Sequence, residues 1–181
     1  MQHEGHVVAV AAGPGHAFSK PQQPRIELIE GVGVAGDGHA GARVQHRSRV
    51  AANPDQPNLR QVHLLPAERL AELAEQGFDL APGAVGENVL TEGLDLHALP
   101  KSTLLRLGEA LVSISGLRNP CAQLDAYREG LTRACLGRHP DGSLALRAGV
   151  MAVVLQSGEV APGDRVEVHL PPPPHIPLAR V

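Results

Sequence analysis

The 181-residue chain predicts a mixed β-barrel with a few peripheral helices. Three observations lead there. Short apolar, β-branched runs recur along the chain, separated by turn residues. The 20 glycines and 16 prolines favour many short strands over long helices. Only two segments, each opened by a proline, show clear helical spacing. At this length one domain with a sizeable core is expected. With two Phe, one Tyr and no Trp, that core must be built from Val, Leu, Ile and Ala.

Residues 6–12 are a Val/Ala run and read as the first strand, broken by Gly13-Pro14-Gly15-His16. Residues 19–24 form a proline-punctuated loop. Residues 25–34 alternate at Ile26, Leu28 and Val32, with Gly31 and Gly33 as kinks. Residues 36–57 are a polar middle without a sustained period, holding His39, Arg43, His46, Arg47 and Arg49. A loop that long in a compact domain is usually functional or mobile. Residues 61–65 read as a strand. Pro66 then opens a helix through Gln76, with Leu70, Leu73 and Ala74 on one face and Gly77 just past its end.

Residues 81–86 are a turn-rich approach to a strand at 88–91. Residues 102–107 and 110–115 form a hairpin around Gly108-Glu109. Leu124, Tyr127, Leu131 and Cys135 then fall at helical spacing, and Gly130 divides that region into two short helices. Residues 149–155 and 165–170 are strands. In the second, Val166, Val168 and Leu170 alternate with Arg165, Glu167 and His169, a half-buried pattern. The domain is expected to span 1–170. Residues 171–181 form a proline-rich arm on the surface, opening in polyproline II geometry.

Composition narrows the function classes. The net charge is −3, so electrostatic capture of nucleic acid is not expected, and aromatic surfaces for base stacking are scarce. No run of about 18 apolar residues suggests a membrane span. The first residues lack a basic-then-apolar leader. Two cysteines make neither a disulfide framework nor a four-ligand zinc site. A protein of the reducing cytoplasm is expected.

The stretch richest in chemistry is Arg118-Asn119-Pro120-Cys121, between an apolar strand and a helical segment. Asn119 suits an N-cap and Pro120 the first helical position, which puts Cys121 in the first turn. A helix start and a nearby arginine both favour the thiolate, the form that attacks or binds metal. The alternative is a small buried residue with no reactivity. Cys135, on the apolar stripe, is expected to be buried, inert and not disulfide-bonded to Cys121.

Arg118-Asn119-Pro120-Cys121 resembles the cysteine motif of MOSC domains, the family named after the C-terminal domain of molybdenum-cofactor sulfurase. Other segments agree in order. Residues 33–41, GVAGDGHAG, are similar to the family's early Gly-Asp segment. Residues 82–96, PGAVGENVLTEGLDL, resemble its Gly-Glu-Asn segment. Residues 149–168, with Gly163-Asp164 at the turn, resemble its closing strand pair. The resemblance covers roughly residues 5–170 and implies a MOSC-like barrel. One departure stands out: reductase-type members often carry His-Gly-Gly before a basic residue and strand. Here that place reads Gln56-Pro57-Asn58-Leu59-Arg60-Gln61-Val62-His63.

The resemblance implies a site for the molybdenum cofactor, without pyridoxal phosphate. Such a site needs a soft thiolate for metal, hydrogen-bonding backbone for the pterin, and cations for the phosphate. Cys121 would supply the thiolate, as persulfide carrier or molybdenum ligand. Arg118 and Asn119 flank it. Glu87, Asn88 and Thr91 would offer hydrogen bonds, though a tight turn in which Glu87 caps neighbouring N–H groups is the slightly favoured alternative. Asp37, His39, Arg43, Arg60 and Lys20 would form a polar, largely basic rim. A divalent-metal set of Asp37, His39 and His46, with His63, is a weaker alternative. Partners implied are a cysteine desulfurase or an electron-transfer protein, and reduction of N-hydroxylated compounds is the implied reaction. Two other readings stay open: a non-catalytic binding module for an anionic metabolite, and a hydrolase pairing Cys121 with His39 or His63.

Overall fold

The computed structural model describes residues 4–45 and 47–181. In chain order the strands are β1 (Glu4–Ala11), β2 (Gln22–Gln23), β3 (Ile26–Ile29), β4 (Gly33–Val34), β5 (Val62–Pro66), β6 (Val89–Glu92) and β7 (Leu104–Leu107). They continue with β8 (Ala110–Leu117), β9 (Leu136–Arg138), β10 (Leu144–Leu146), β11 (Val150–Gln156), β12 (Gly158–Val160) and β13 (Arg165–His169). The helices are α1 (Arg47–Ala52), α2 (Ala67–Glu75), α3 (Ala122–Tyr127) and α4 (Leu131–Ala134), with a 3-10 turn at Leu96–Ala98.

Seven strands close into a barrel in the order β1-β13-β7-β8-β11-β5-β6, with β6 returning to β1. The barrel is mixed because β5 and β6 run parallel, whereas its other pairs are antiparallel. A parallel pair needs a crossover, and α2 supplies it. Period-2 alternation sends Val62 and Leu64 of β5, Val150, Ala152 and Val154 of β11, and Val166 and Val168 of β13 into the barrel. The opposite faces meet the helices: Leu65 and Leu90 pack with Leu73 of α2, Leu124 of α3, and Leu131 and Cys135 at α4.

The mixed barrel and peripheral helices match the expected class. Helix α2 starts after Pro66, and Gly77, at φ +91°, ends it. Gly108 turns the β7–β8 hairpin at φ +54°. Gly130, at φ +85°, separates α3 from α4, because an L side chain rarely tolerates that geometry.

The polar middle is less irregular than its lack of period suggested. Residues 47–52 form α1, whose six residues are too few to show a repeating apolar stripe. Strands β3 and β4 fall within the alternating residues 25–34, whereas β12 and the β9–β10 hairpin were not expected, since strands of three residues carry almost no alternation signal. Residues 176–181 lie along β8, where Leu117 N donates to Ala179 O at 2.8 Å.

Thr91 shares its face with Val89, so its hydroxyl points into the apolar barrel, and Oγ1 has no hydrogen-bond partner among the described residues. A buried hydroxyl left unpaired costs about 1–3 kcal/mol. Thr91→Val should therefore stabilise the protein by about 1 kcal/mol in urea denaturation. A lower midpoint would show that the hydroxyl is satisfied.

Candidate functional site

Where β5, β11 and the end of β8 meet, their outer faces floor a cavity of about 370 Å³. His63 and Met151 stand opposite each other in the β5–β11 ladder, and both line it. Their outward direction follows from their inward neighbours Val62, Leu64, Val150 and Ala152. Loops build the walls. Phe18 and Lys20 come from the β1–β2 connection, His39 follows β4, Arg49 belongs to α1, and Arg60 precedes β5. Gly86 and Asn88 precede β6, and Arg118, Asn119 and Cys121 follow β8.

The lining is cationic. Lys20, Arg49, Arg60, Arg118 and Arg180 all face it, and no Asp or Glu stands among its lining residues. Arg118 is buried, donates through Nη1 to Val85 O at 2.7 Å, and lies 5.7 Å from the Phe18 ring centre. Burial lowers its pKa, with Cys121 and Cys135 opposing. Burial, followed by the charges of Arg49 and Arg118, brings Arg60 down to about 10, so it remains a cation at neutral pH.

Behind the wall, Lys20 Nζ donates to Asp37 Oδ2 at 3.0 Å. Asp37 also accepts from Gly13 N at 3.2 Å and His39 N at 3.3 Å. Burial pushes the Asp37 carboxyl up, but bonds from His39 and Lys20 outweigh it and hold it well below the usual carboxylate range. Burial lowers the Lys20 pKa against the pull of Asp37. The Gly-Asp segment thus anchors the early loops to one buried carboxylate.

Cys121 sits at the cavity edge, half-buried and free. Its backbone is extended (φ −131°, ψ 171°), and it is itself the N-cap of α3, where Leu124 N donates to Cys121 O at 3.0 Å. This corrects the expectation that Asn119 caps a helix beginning at Pro120. Arg118 N donates to Gly149 O at 3.0 Å, which prolongs the β8–β11 ladder and keeps the chain extended past Leu117. The sulfur's hydrogen-bond contact among the described residues is Gln123 Oε1 at 3.7 Å. Cys135 is buried, and burial pushes its thiol pKa up.

A family model for the MOSC domain matches residues 39–167. The chain belongs to the MOSC domain family. Protein YiiM of Escherichia coli is 30% identical over 126 residues, which cover 68% of this chain and 52% of that protein. The chain thus spans about half the length of this curated relative. Among solved structures, YuaD of Bacillus subtilis superposes with a TM-score of 0.77 at 22% identity, covering 93% of this chain and 97% of the other. YiiM of Geobacillus stearothermophilus gives 0.64 at 20% identity, covering 91% and 75%. At those identities the two structures establish the shared fold.

Of the residues singled out in this MOSC domain, Cys121, Arg118, Asn119, Asn88, His39, Arg60 and Lys20 line the cavity together. Asp37 stands behind Lys20. Glu87 is buried and does not line the cavity; its Oε1 accepts from Gly83 N at 2.6 Å, and burial raises its pKa. Thr91 faces the barrel interior. Arg43 lies outside the cavity in an exposed pair with Asp55 at 2.7 Å. His46 falls outside the described residues. Among those residues no three His, Cys, Asp or Glu cluster as a metal site, and His63 Nε2 bonds to Ala148 O at 2.8 Å.

Sequence reasoning did not single out His16, Phe18, Arg49, Gln123 or Arg180 as site residues, yet all line the cavity. None belongs to a motif. A short helix and a returning tail bring the two arginines in.

His63 is fully enclosed, and burial, then the charge of Arg118, pushes its pKa well below the imidazole range. Burial also lowers His97, whose Nε2 accepts from Gly149 N at 3.2 Å, a role only the neutral ring can fill. Both folded pKa values lie below the unfolded one, so the unfolded chain takes up protons first. The contribution is whole above about pH 6.5 and is lost as pH falls below it, by up to about 1.4 kcal/mol per pH unit for each ring. Urea midpoints should fall between pH 7 and pH 5, and His63→Gln should flatten that fall. The same slope in the variant would assign it elsewhere.

Proposed function

We propose that this MOSC domain binds the molybdenum cofactor in its cationic cavity, with Cys121 as the thiol that meets it. The observation that carries this reading is one cavity lined by five cations, a free thiol and no carboxylate. The residues fit the group. Arginine forks suit its phosphate, and a cysteine sulfur is the soft donor that molybdenum prefers. A bound molybdenum dithiolene supplies two-electron redox chemistry.

Cys121 is the position from which sulfur is delivered. Its thiolate attacks the outer sulfur of a donor protein's cysteine persulfide. A new S–S bond forms at Cys121, the donor's S–S bond breaks, and the donor cysteine leaves as thiolate. A cysteine desulfurase is the donor class this step requires. Direct ligation of molybdenum by the same sulfur is the other use of the position. Reduction of N-hydroxylated compounds, with electrons from a separate protein, belongs to the same proposal. A non-catalytic module for an anionic metabolite draws support from the cations alone.

Protein made in a host that synthesises the cofactor should carry molybdenum and pterin. Cys121→Ser should fold with an unchanged melting temperature yet lose persulfide and most of the metal. Cys135→Ser should lose stability and keep both. Wild-type loading in Cys121→Ser would end the sulfur-carrier reading. Phosphate or another anion bound without molybdenum would favour the metabolite module.

Arg60→Ala should weaken cofactor affinity by about 1.5–3 kcal/mol, the value of a lost charge-assisted contact. Arg43→Ala, outside the cavity, should leave it unchanged. Equal losses in both would mean that long-range charge, and not contact, sets the affinity.

A further inference from the structure

Residues 176–181 return along the edge of the barrel wall. Lys101 N donates to Ile176 O at 2.8 Å, Leu117 N to Ala179 O at 2.8 Å, and Val181 N to Leu117 O at 3.2 Å. Arg180 bridges Leu117 in parallel sense, and Leu178 packs against the barrel core. Gly116 makes the approach possible. A Cβ there would stand 2.5 Å from Ala179 O and 2.5 Å from Val181 Cγ1. The segment carries Arg180 into the cavity wall beside the Arg118 position.

Arg180 is exposed and has no carboxylate partner among the described residues. Seating it adds a cation to a wall that already holds Arg49, Arg60 and Arg118, where Asp37 offsets only Lys20 from behind and no lining acid stands beside the arginines. The hydrogen bonds of the segment must oppose that repulsion. An anion in the cavity removes it, so anion binding and seating of the segment are thermodynamically linked.

We propose that Arg180 is an anion-binding residue of this cavity, and that residues 176–181 form a strap whose seating on β8 is coupled to occupancy by a phosphate-like oxyanion. This rests on reading the cavity as an anion site and does not depend on which cofactor bears the anion. The strap lies outside residues 39–167, the part matched by the MOSC model. A guanidinium arriving from that side can grip two oxygens of a phosphate at once.

The probe is inorganic phosphate, titrated calorimetrically, with hydrogen exchange followed at the amides of Lys101, Leu117 and Val181. In the wild type, phosphate should slow exchange at all three. Arg180→Ala should weaken phosphate binding about tenfold and abolish the slowing, while the melting temperature without phosphate stays the same or rises slightly. Gly116→Ala, which displaces the strap and leaves Arg180 in the chain, should weaken binding by a similar factor. The double variant should lose no more than either single one. Arg138→Ala, exposed and bonded to Gly142 O at 2.8 Å, removes the same charge elsewhere and should bind as the wild type does. Wild-type phosphate affinity in Arg180→Ala would overturn the strap proposal and leave the anion site standing. A wild type that binds no phosphate would overturn both.

Discussion

Asn88 holds the molecule together at the point where the cavity forms. Its Oδ1 accepts from His63 N at 3.1 Å, and its Nδ2 donates to Ala11 O at 3.1 Å. Its own backbone donates to His63 O at 2.8 Å and accepts from Ala11 N at 2.9 Å. One residue thus joins β5 to β1 just before β6 begins, at the seam between the parallel pair and the antiparallel one. Both ends of the amide are used and buried, so a change of side chain would leave buried backbone groups unpaired. Because Asn88 sets the register there, His63 and Gly86 reach the cavity together. The asparagine lines the site chiefly as the fastener of its wall.

Charge is distributed unevenly around that seam. The carboxylates near the site, Asp37 and Glu87, lie behind the lining, and the cations stand in front. Lys20 and Asp37 form a buried pair, which is worth little by itself once desolvation is counted, but which fixes the loop from Gly13 to His39. Glu87 keeps one carboxylate oxygen on Gly83, and its Oε2 has no partner among the described residues, within the charge field of Arg118. Positive potential therefore reaches the cavity with little cancellation from its own lining. In a partly buried cleft such a field concentrates anions more strongly than the net charge of −3 would suggest.

The barrel wall separates two kinds of packing. Inside, Val, Leu and Ile side chains from the strands make an apolar core, into which Thr91 points a hydroxyl with no hydrogen-bond partner among the described residues. Outside, α2, α3 and α4 cover part of the wall, and the cavity opens near β5, β8 and β11. Gly77 ends α2 and Gly130, the N-cap of α4, divides α3 from α4, so the helices are short and cover the wall without closing over the site.

The sequence by itself determined the barrel class, the proline-started helix α2, the division at Gly130 and the family motifs around Asp37, Glu87 and Cys121. Each rests on local physics: alternation, caps, left-handed glycines and fixed spacing within one segment. It also placed Cys135 on a buried apolar stripe, but it put Cys121 in a first helical turn, whereas the structure makes that residue the N-cap. Only the tertiary structure decided which motif residues share a cavity. Thr91 and Arg43 looked equivalent to Lys20 and Arg60 in the chain. Strand parity turns Thr91 inward, and the Asp55 pair holds Arg43 at the surface. Arg49 and Arg180 reach the site through a six-residue helix and a returning tail, whose placement depends on contacts made far along the chain. No local pattern encodes such contacts, because they exist only once the barrel has closed.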